Sequence, residues 1–216
     1  MNRYRNKWMS AISGLLITSL SGCALLSPVK TTTTPLSIIQ ANPADVKKMH
    51  QMRQTPLDIT LFIRPFQADT PFLGTKMFYS LHHNQIQAYP QYEWASAPAD
   101  MLYNTNVSYF NHSNQFRHIA SGQFTGQYSY YLTATINQLI QTIQNKQESQ
   151  VVLTMTYQIV DRTTGQLIAS QRFSEKTTVD IGTKGFTQAA NQLAGLIAQK
   201  AIDWSSKELR TYQSTH

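Results

Sequence analysis

The stretch "VVLTMTYQIVDRTTGQLIASQRFSEKTTV", residues 151–179, decides the fold. Val151 to Val160 and Leu167 to Val179 read as strands. Asp161-Arg162-Thr163-Thr164-Gly165 stands between them, so the pair forms a hairpin with Gly in its loop. Directly downstream the apolar spacing is helical. Phe186, Ala190, Leu193, Ile197, Ala201 and Trp204 recur every three or four residues, which predicts a helix from about Gly185 to Trp204. That stripe should lie on a sheet. The opposite face carries Gln188, Gln192, Gln199 and Lys200.

Upstream, "LDITLFIRPF" at 57–66 places Leu57, Ile59, Leu61 and Ile63 on one face of a strand, and Pro65 marks an end or an edge. Lys76 to Leu81 is a short aromatic strand. Gln85 to Tyr89 returns after a turn at His82–Asn84, and Tyr131 to Ile143 holds Leu132, Ala134 and Ile136 in step. A first helix is expected over Pro98 to Phe110, with Ser96 as N-cap and Pro98 near its first turn. Asn104, Asn106 and Asn111 are weak helix formers and blur its boundary. The order strands, helix, strands, helix predicts a single α+β domain over 36–216, with two main helices packed on a largely antiparallel sheet.

Composition narrows the function. The 216 residues suit one domain. Charged residues are 13%, about half the usual ~25%. The polar surface is built instead from Gln, Asn, Ser and Thr, as in many exported proteins. Of the formal charge of +7, three positive charges, Arg3, Arg5 and Lys7, precede residue 10, and no acid appears before Asp45. The rest is spread thinly, without the basic cluster that nucleic-acid binding needs. No nucleic-acid partner is expected.

The charged N-terminus has another reading. MNRYRNKW, residues 1–8, is a positive segment, and MSAISGLLITSL, residues 9–20, is apolar over twelve residues. Twelve is too short to span a bilayer, which takes about 20. It suits the core of a signal peptide, about 7–15 residues long. Leu20-Ser21-Gly22-Cys23 then resembles the bacterial lipobox. Leu20 would fill an apolar peptidase pocket, Ser21 and Gly22 would keep the scissile backbone accessible, and Cys23 would accept a diacylglycerol. Cys23 is the only cysteine, so it can form neither an internal disulfide nor a multi-thiolate metal site. The alternative is a short helix with a chance buried cysteine. Residues 1–22 are thus read as a lipoprotein signal peptide, and 23–35 as an acylated cysteine with a Thr/Pro tether. The covalent lipid on Cys23 is the expected membrane anchor, and no other cofactor is expected. Ala24 is not the Asp that resembles an inner-membrane retention signal, which favours the outer membrane facing the periplasm.

The sequence offers no catalytic constellation. His50, His82, His83, His112, His118 and His216 include no pair at the i, i+4 zinc-helix spacing with an intervening Glu. His82-His83 reads as an exposed turn, with a metal site as the alternative. Glu93 and Asp100 flank a helix start, where acids favour the dipole. A hydrolase reading would need them, or His82, to converge in a cleft. No metal site is expected. "YPQYEWASAPA" at 89–99 concentrates aromatic and rigid residues at a strand-to-helix junction. Tyr89, Tyr92, Trp94 and Pro98 are either core packing at a corner or a partner-facing patch, since Tyr and Trp dominate binding hot spots.

Residues 74–119 resemble the ABC-type transport auxiliary lipoprotein family, of the paraquat-inducible operon kind. The matching steps are Lys76-Met77-Phe78-Tyr79, Tyr89 to Tyr92, Trp94-Ala95-Ser96-Ala97-Pro98-Ala99-Asp100-Met101-Leu102, and Phe116-Arg117-His118-Ile119. The downstream order of strands, Gly-turn and C-terminal amphipathic helix agrees. One departure is "PLSIIQA" at 35–41, where many members begin with a Tyr-Tyr-x-Leu strand. The resemblance implies a periplasm-facing, non-enzymatic lipoprotein. Its partners would be proteins of a mammalian-cell-entry type ABC transporter that moves lipids or other hydrophobic molecules between membranes. A homo-oligomer is compatible with it. The rival reading is a structural chaperone, or pilotin, of a secretion or pilus assembly system.

Overall fold

A computed structural model describes residues 36–49, 55–82, 85–145 and 147–215. Along them run β1 (Leu36–Ser37), α1 (Pro43–Met49), β2 (Leu57–Ile63), β3 (Gln67–Ala68), β4 (Lys76–His82), β5 (Gln85–Trp94), α2 (Pro98–His112), β6 (Phe116–Ser121), β7 (Tyr130–Ile143), β8 (Glu148–Asp161), β9 (Leu167–Asp180) and α3 (Thr183–Thr215).

Strand β7 is the spine of the sheet. One edge pairs with β8 along its whole length, and β8 pairs in turn with β9. The other edge is shared by three strands in succession: β2 at residues 130–132, β3 at 135–136 and β4 at 141–142. Beyond β2 lies β6, and beyond β4 lie β5 and then β1. A bulge lets one strand serve three partners. Ile136 faces Met155 and Gln138 faces Thr154, which leaves Asn137 as the extra residue. Such an insertion bends the strand and shifts its side-chain phase. Leu132, Ala134 and Ile136 are buried before the bulge, Leu139 and Gln141 after it. The Asn137 amide fixes the site, donating to Asp69 Oδ2 at 3.0 Å and accepting from Thr156 Oγ1 at 2.6 Å.

The α+β class holds, and the long β7–β8–β9 meander and the β4–β5 hairpin are antiparallel as expected. The sheet as a whole is mixed. The pairings of β1, β2, β3 and β4 with their non-consecutive neighbours are parallel. Helical or long connections separate these strands, and a crossover returns the chain in the same direction. The strand expected over 57–66 divides at Pro65, which has no N–H to donate. Phe66 then turns into the core against Tyr157, with ring centres 5.9 Å apart.

Helices α2 and α3 cover one face. Helix α2 starts one residue later than Ser96 would require. Ala97 is the N-cap and its carbonyl accepts the Asp100 N–H at 3.0 Å, with no side-chain cap, because Pro98 is pre-set for the first turn. Its asparagines do not end it. Asn106 is buried between the Leu102 carbonyl and the Tyr157 hydroxyl. Helix α3 runs on well past Trp204. Ser205, Ser206 and Leu209 remain buried, and Ser206 Oγ donates to Gln115 Oε1 at 2.9 Å. At 1.5 Å per residue its 33 residues span about 50 Å, the length of the sheet's long strands. Two glycines seat it. A Cβ on Gly185 would stand 2.3 Å from the Asp180 carbonyl, and one on Gly195 would stand 2.7 Å from the Tyr109 hydroxyl of α2.

Candidate partner-binding surfaces

The four aromatic and rigid residues of the 89–99 stretch separate in space. Trp94 closes β5 and is 2% exposed, edge-on to Phe186 of α3 with ring centres 5.3 Å apart. Pro98 is buried in the first turn of α2. Both therefore pack the corner between β5 and α3 and present no ring to a partner. Their placement is that of packing at a corner. Tyr89 and Tyr92 stay half-exposed on β5.

Those two belong to a tyrosine row. The rings of Tyr79 and Tyr89 lie 4.7 Å apart, and Tyr92 stands edge-on to Tyr89 at 6.4 Å. Tyr79 donates to Gln87 Oε1 at 2.6 Å, and Tyr89 donates to Gln141 Oε1 at 2.6 Å. The Gln141 amide is fully buried and passes its own hydrogens to Ser149 Oγ at 2.6 Å and the Asp180 carbonyl at 3.3 Å. Burial, with a smaller contribution from Tyr79, pushes the Tyr89 hydroxyl up to about 12. A neutral phenol in a closed hydrogen-bond chain positions a surface ring; it offers no base or nucleophile at neutral pH.

The other candidates for chemistry also have structural employment. Glu93 accepts from Thr75 Oγ1 at 3.1 Å, Asp100 lies in the first turn of α2, and the His112 ring meets the Ser108 carbonyl at 2.7 Å. Among the described residues no three of His, Cys, Asp and Glu gather to hold a metal ion. His83, Asn84, and the lipobox Leu20, Ser21, Gly22 and Cys23 with the tether to residue 35, lie outside the described residues. No helix among the described residues is long and apolar enough to cross a membrane.

A second aromatic surface escaped the sequence reading. It joins Phe62, Phe124, Tyr128 and Tyr131 with Arg64 and Arg162. The run "QFTGQYSYY" at 123–131 carried a signal, but its partners come from residues 62 and 162, and no local period links them.

The family model of the ABC-type transport auxiliary lipoprotein component matches residues 47–201. The chain belongs to that family. The matched region begins before β2 and ends inside α3, so it takes in strands β2 to β9, all of α2 and the first part of α3. The fold is similar to that of a crystal structure of a DUF330-family protein from Xanthomonas campestris, at 15% identity and a TM-score of 0.67, covering 83% of this chain and 97% of that one. It is also similar to a crystal structure of an uncharacterized protein at 16% identity and a TM-score of 0.57, over 70% of this chain and 95% of that one. The PelC dodecamer of Paraburkholderia phytofirmans matches at 10% identity over 68% of this chain and 92% of that one, with a TM-score of 0.37, a likeness too weak to bear on assembly. No curated protein matches the sequence. Family membership gives the protein an accessory role in ABC-type transport and, as a lipoprotein, a place in the cell envelope.

Proposed function

We propose that the protein is a lipid-anchored, non-catalytic subunit of a mammalian-cell-entry type ABC transport system, which moves lipids or other hydrophobic molecules between membranes. The observation that carries this reading is the family match over residues 47–201. Glu93, one of the acids a hydrolase reading would need, accepts from Thr75 Oγ1 and has a structural partner. Cys23 would carry the acyl chains, and the Thr/Pro tether would hold the domain off the outer membrane on its periplasmic side. One acyl chain binds a bilayer only marginally, whereas two or three anchor stably. The half-exposed Tyr79–Tyr89–Tyr92 row on β4 and β5 is the docking surface proposed for the transporter's substrate-binding protein. A second copy of the chain is a further candidate partner.

Three measurements test this. Radiolabelled palmitate should enter the full-length chain and not the Cys23→Ser variant, and the labelled chain should fractionate with outer membranes. Deleting the gene should slow phospholipid exchange between the two membranes. Unaltered exchange together with a mislocalised secretion or pilus assembly would instead establish the structural-chaperone role.

A further inference from the structure

The sheet face turned away from α2 and α3 carries a row of rings capped by two arginines. Side chains alternate along a strand. Leu61, Ile63 and Leu132 point to the helices, so Phe62, Arg64 and Tyr131 lie on the far face, where Phe62 is itself only 9% exposed and packs against Phe124 and Tyr128. Phe62 and Tyr131 are register neighbours on β2 and β7. The Phe62 ring lies 4.8 Å from Tyr128 and 6.4 Å from Phe124. The Arg64 guanidinium sits 3.6 Å above the Tyr131 ring, and that of Arg162 sits 4.5 Å above Tyr128.

The loops are built to hold this row outward. The Arg162 N–H donates to the Ser129 carbonyl at 2.9 Å, which ties the β8–β9 hairpin to the segment before β7. Phe124 lies over Gly126, where a Cβ would meet its Cζ at 2.3 Å. The ring is nonetheless 41% exposed. The ion pairs among the described residues join Arg117 to Asp58 and Lys200 to Glu175; neither involves Arg64 or Arg162. A guanidinium lying flat on a ring keeps its N–H edge free for a carboxylate. The ring contact restricts the side chain, so binding loses less entropy. Arg and Tyr are the residue types that dominate interface hot spots.

We infer that this face docks an acidic, extended segment of a protein partner. Its carboxylates pair with Arg64 and Arg162, and an aromatic or proline side chain packs on Phe124 and Tyr128. Charge complementarity selects an acidic occupant. The rings beside the two arginines give packing for the side chains of a polypeptide, which selects a protein segment as the occupant.

The test uses the full chain in an uncharged detergent and a short soluble peptide of Asp, Phe and Pro bearing a photo-crosslinker. The peptide should crosslink near Phe124 and Tyr128. Its affinity should fall about tenfold or more in the Arg64→Gln/Arg162→Gln double variant, as when close charge pairs are cut. Arg117→Gln, whose parent side chain is already paired, should bind like the parent. Both arginines are exposed, so the double variant should keep its thermal midpoint. Repeating the titration on Cys23→Ser separates this surface from the anchor, because the patch should bind equally without acylation. Equal binding of an Asn-for-Asp peptide would overturn the proposal, as would undiminished binding by the double variant. So would binding confined to vesicles of phosphatidylglycerol and phosphatidylcholine, which would reassign the face to a membrane surface.

Discussion

Gln141 and Tyr157 show how single polar groups live in this core. Tyr157 is fully buried, its hydroxyl donates to Asn106 Oδ1 at 2.9 Å, and burial drives its ionisation far above the usual phenol range. Tyr157→Phe strips Asn106 of that donor in a dry site, which should cost about 1–3 kcal/mol in urea unfolding. Adding Asn106→Leu removes the orphan acceptor as well, so the double variant should lose less than the two single losses combined. Trp94 makes the complementary case for an apolar side chain. Its burial against Phe186 predicts that Trp94→Ala costs about 3–5 kcal/mol. Tyr92→Ala, at a half-exposed ring, should cost far less. An unchanged midpoint for Trp94→Ala would mean that the corner is not packed as described.

At the scale of elements, α3 organises its neighbours through small residues and amides. Gly195 lets Tyr109 of α2 approach, so Gly195→Ala forces the two helices apart and should cost about 1–3 kcal/mol in thermal or urea unfolding. Tyr109→Phe in the same chain removes the closest atom and should recover part of that loss. Asn191 works differently. Its amide accepts from the Gln40 N–H at 2.9 Å and donates to the Ile38 carbonyl at 2.8 Å, pairing with the backbone as a neighbouring strand would. Thr187 Oγ1 adds a bond to Ser37 Oγ at 2.9 Å. This clamps the segment that leads in from the tether, so pull on an anchor at Cys23 would be borne by α3 and β5. Asn191→Leu should speed hydrogen exchange at Gln40 while leaving β8 protected; protection at Gln40 equal to that of the parent would remove the clamp.

For the whole molecule the thin charge matters more than its sign. Of the two ion pairs among the described residues, Arg117–Asp58 is largely exposed and Lys200–Glu175 partly so, and solvent screening keeps the contribution of each small. Stability rests on the apolar layer between helices and sheet, and near neutrality it should respond weakly to salt. Alkaline pH is different. The Tyr89 hydroxyl titrates at about 12 in the fold against 10.0 when free. Between those values the unfolded chain has lost a proton that the folded chain keeps, so stability falls as pH rises through that window. Solvent at the half-exposed ring moderates the effect. Tyr89→Phe should make the unfolding midpoint less steep against pH across it.

Much of this architecture was legible in the chain. The 151–179 hairpin and the stripe from Phe186 to Ala201 declare themselves because side-chain period is a local property of strand and helix. Pro65 likewise marked where β2 stops. The family was legible in the corner from Trp94 to Leu102, although the same residues left open whether Trp94 faced a partner or the core. Tertiary structure alone decided that, and it decided the parallel pairings along β7, the bulge at Asn137, the extension of α3 through Ser205 and Ser206, and the meeting of Arg64 and Arg162 on one aromatic face. The physical reason is reach. Periodicity needs only neighbours in sequence, whereas strand partners, phase slips and shared faces depend on which edges remain free once the helices have covered their side of the sheet.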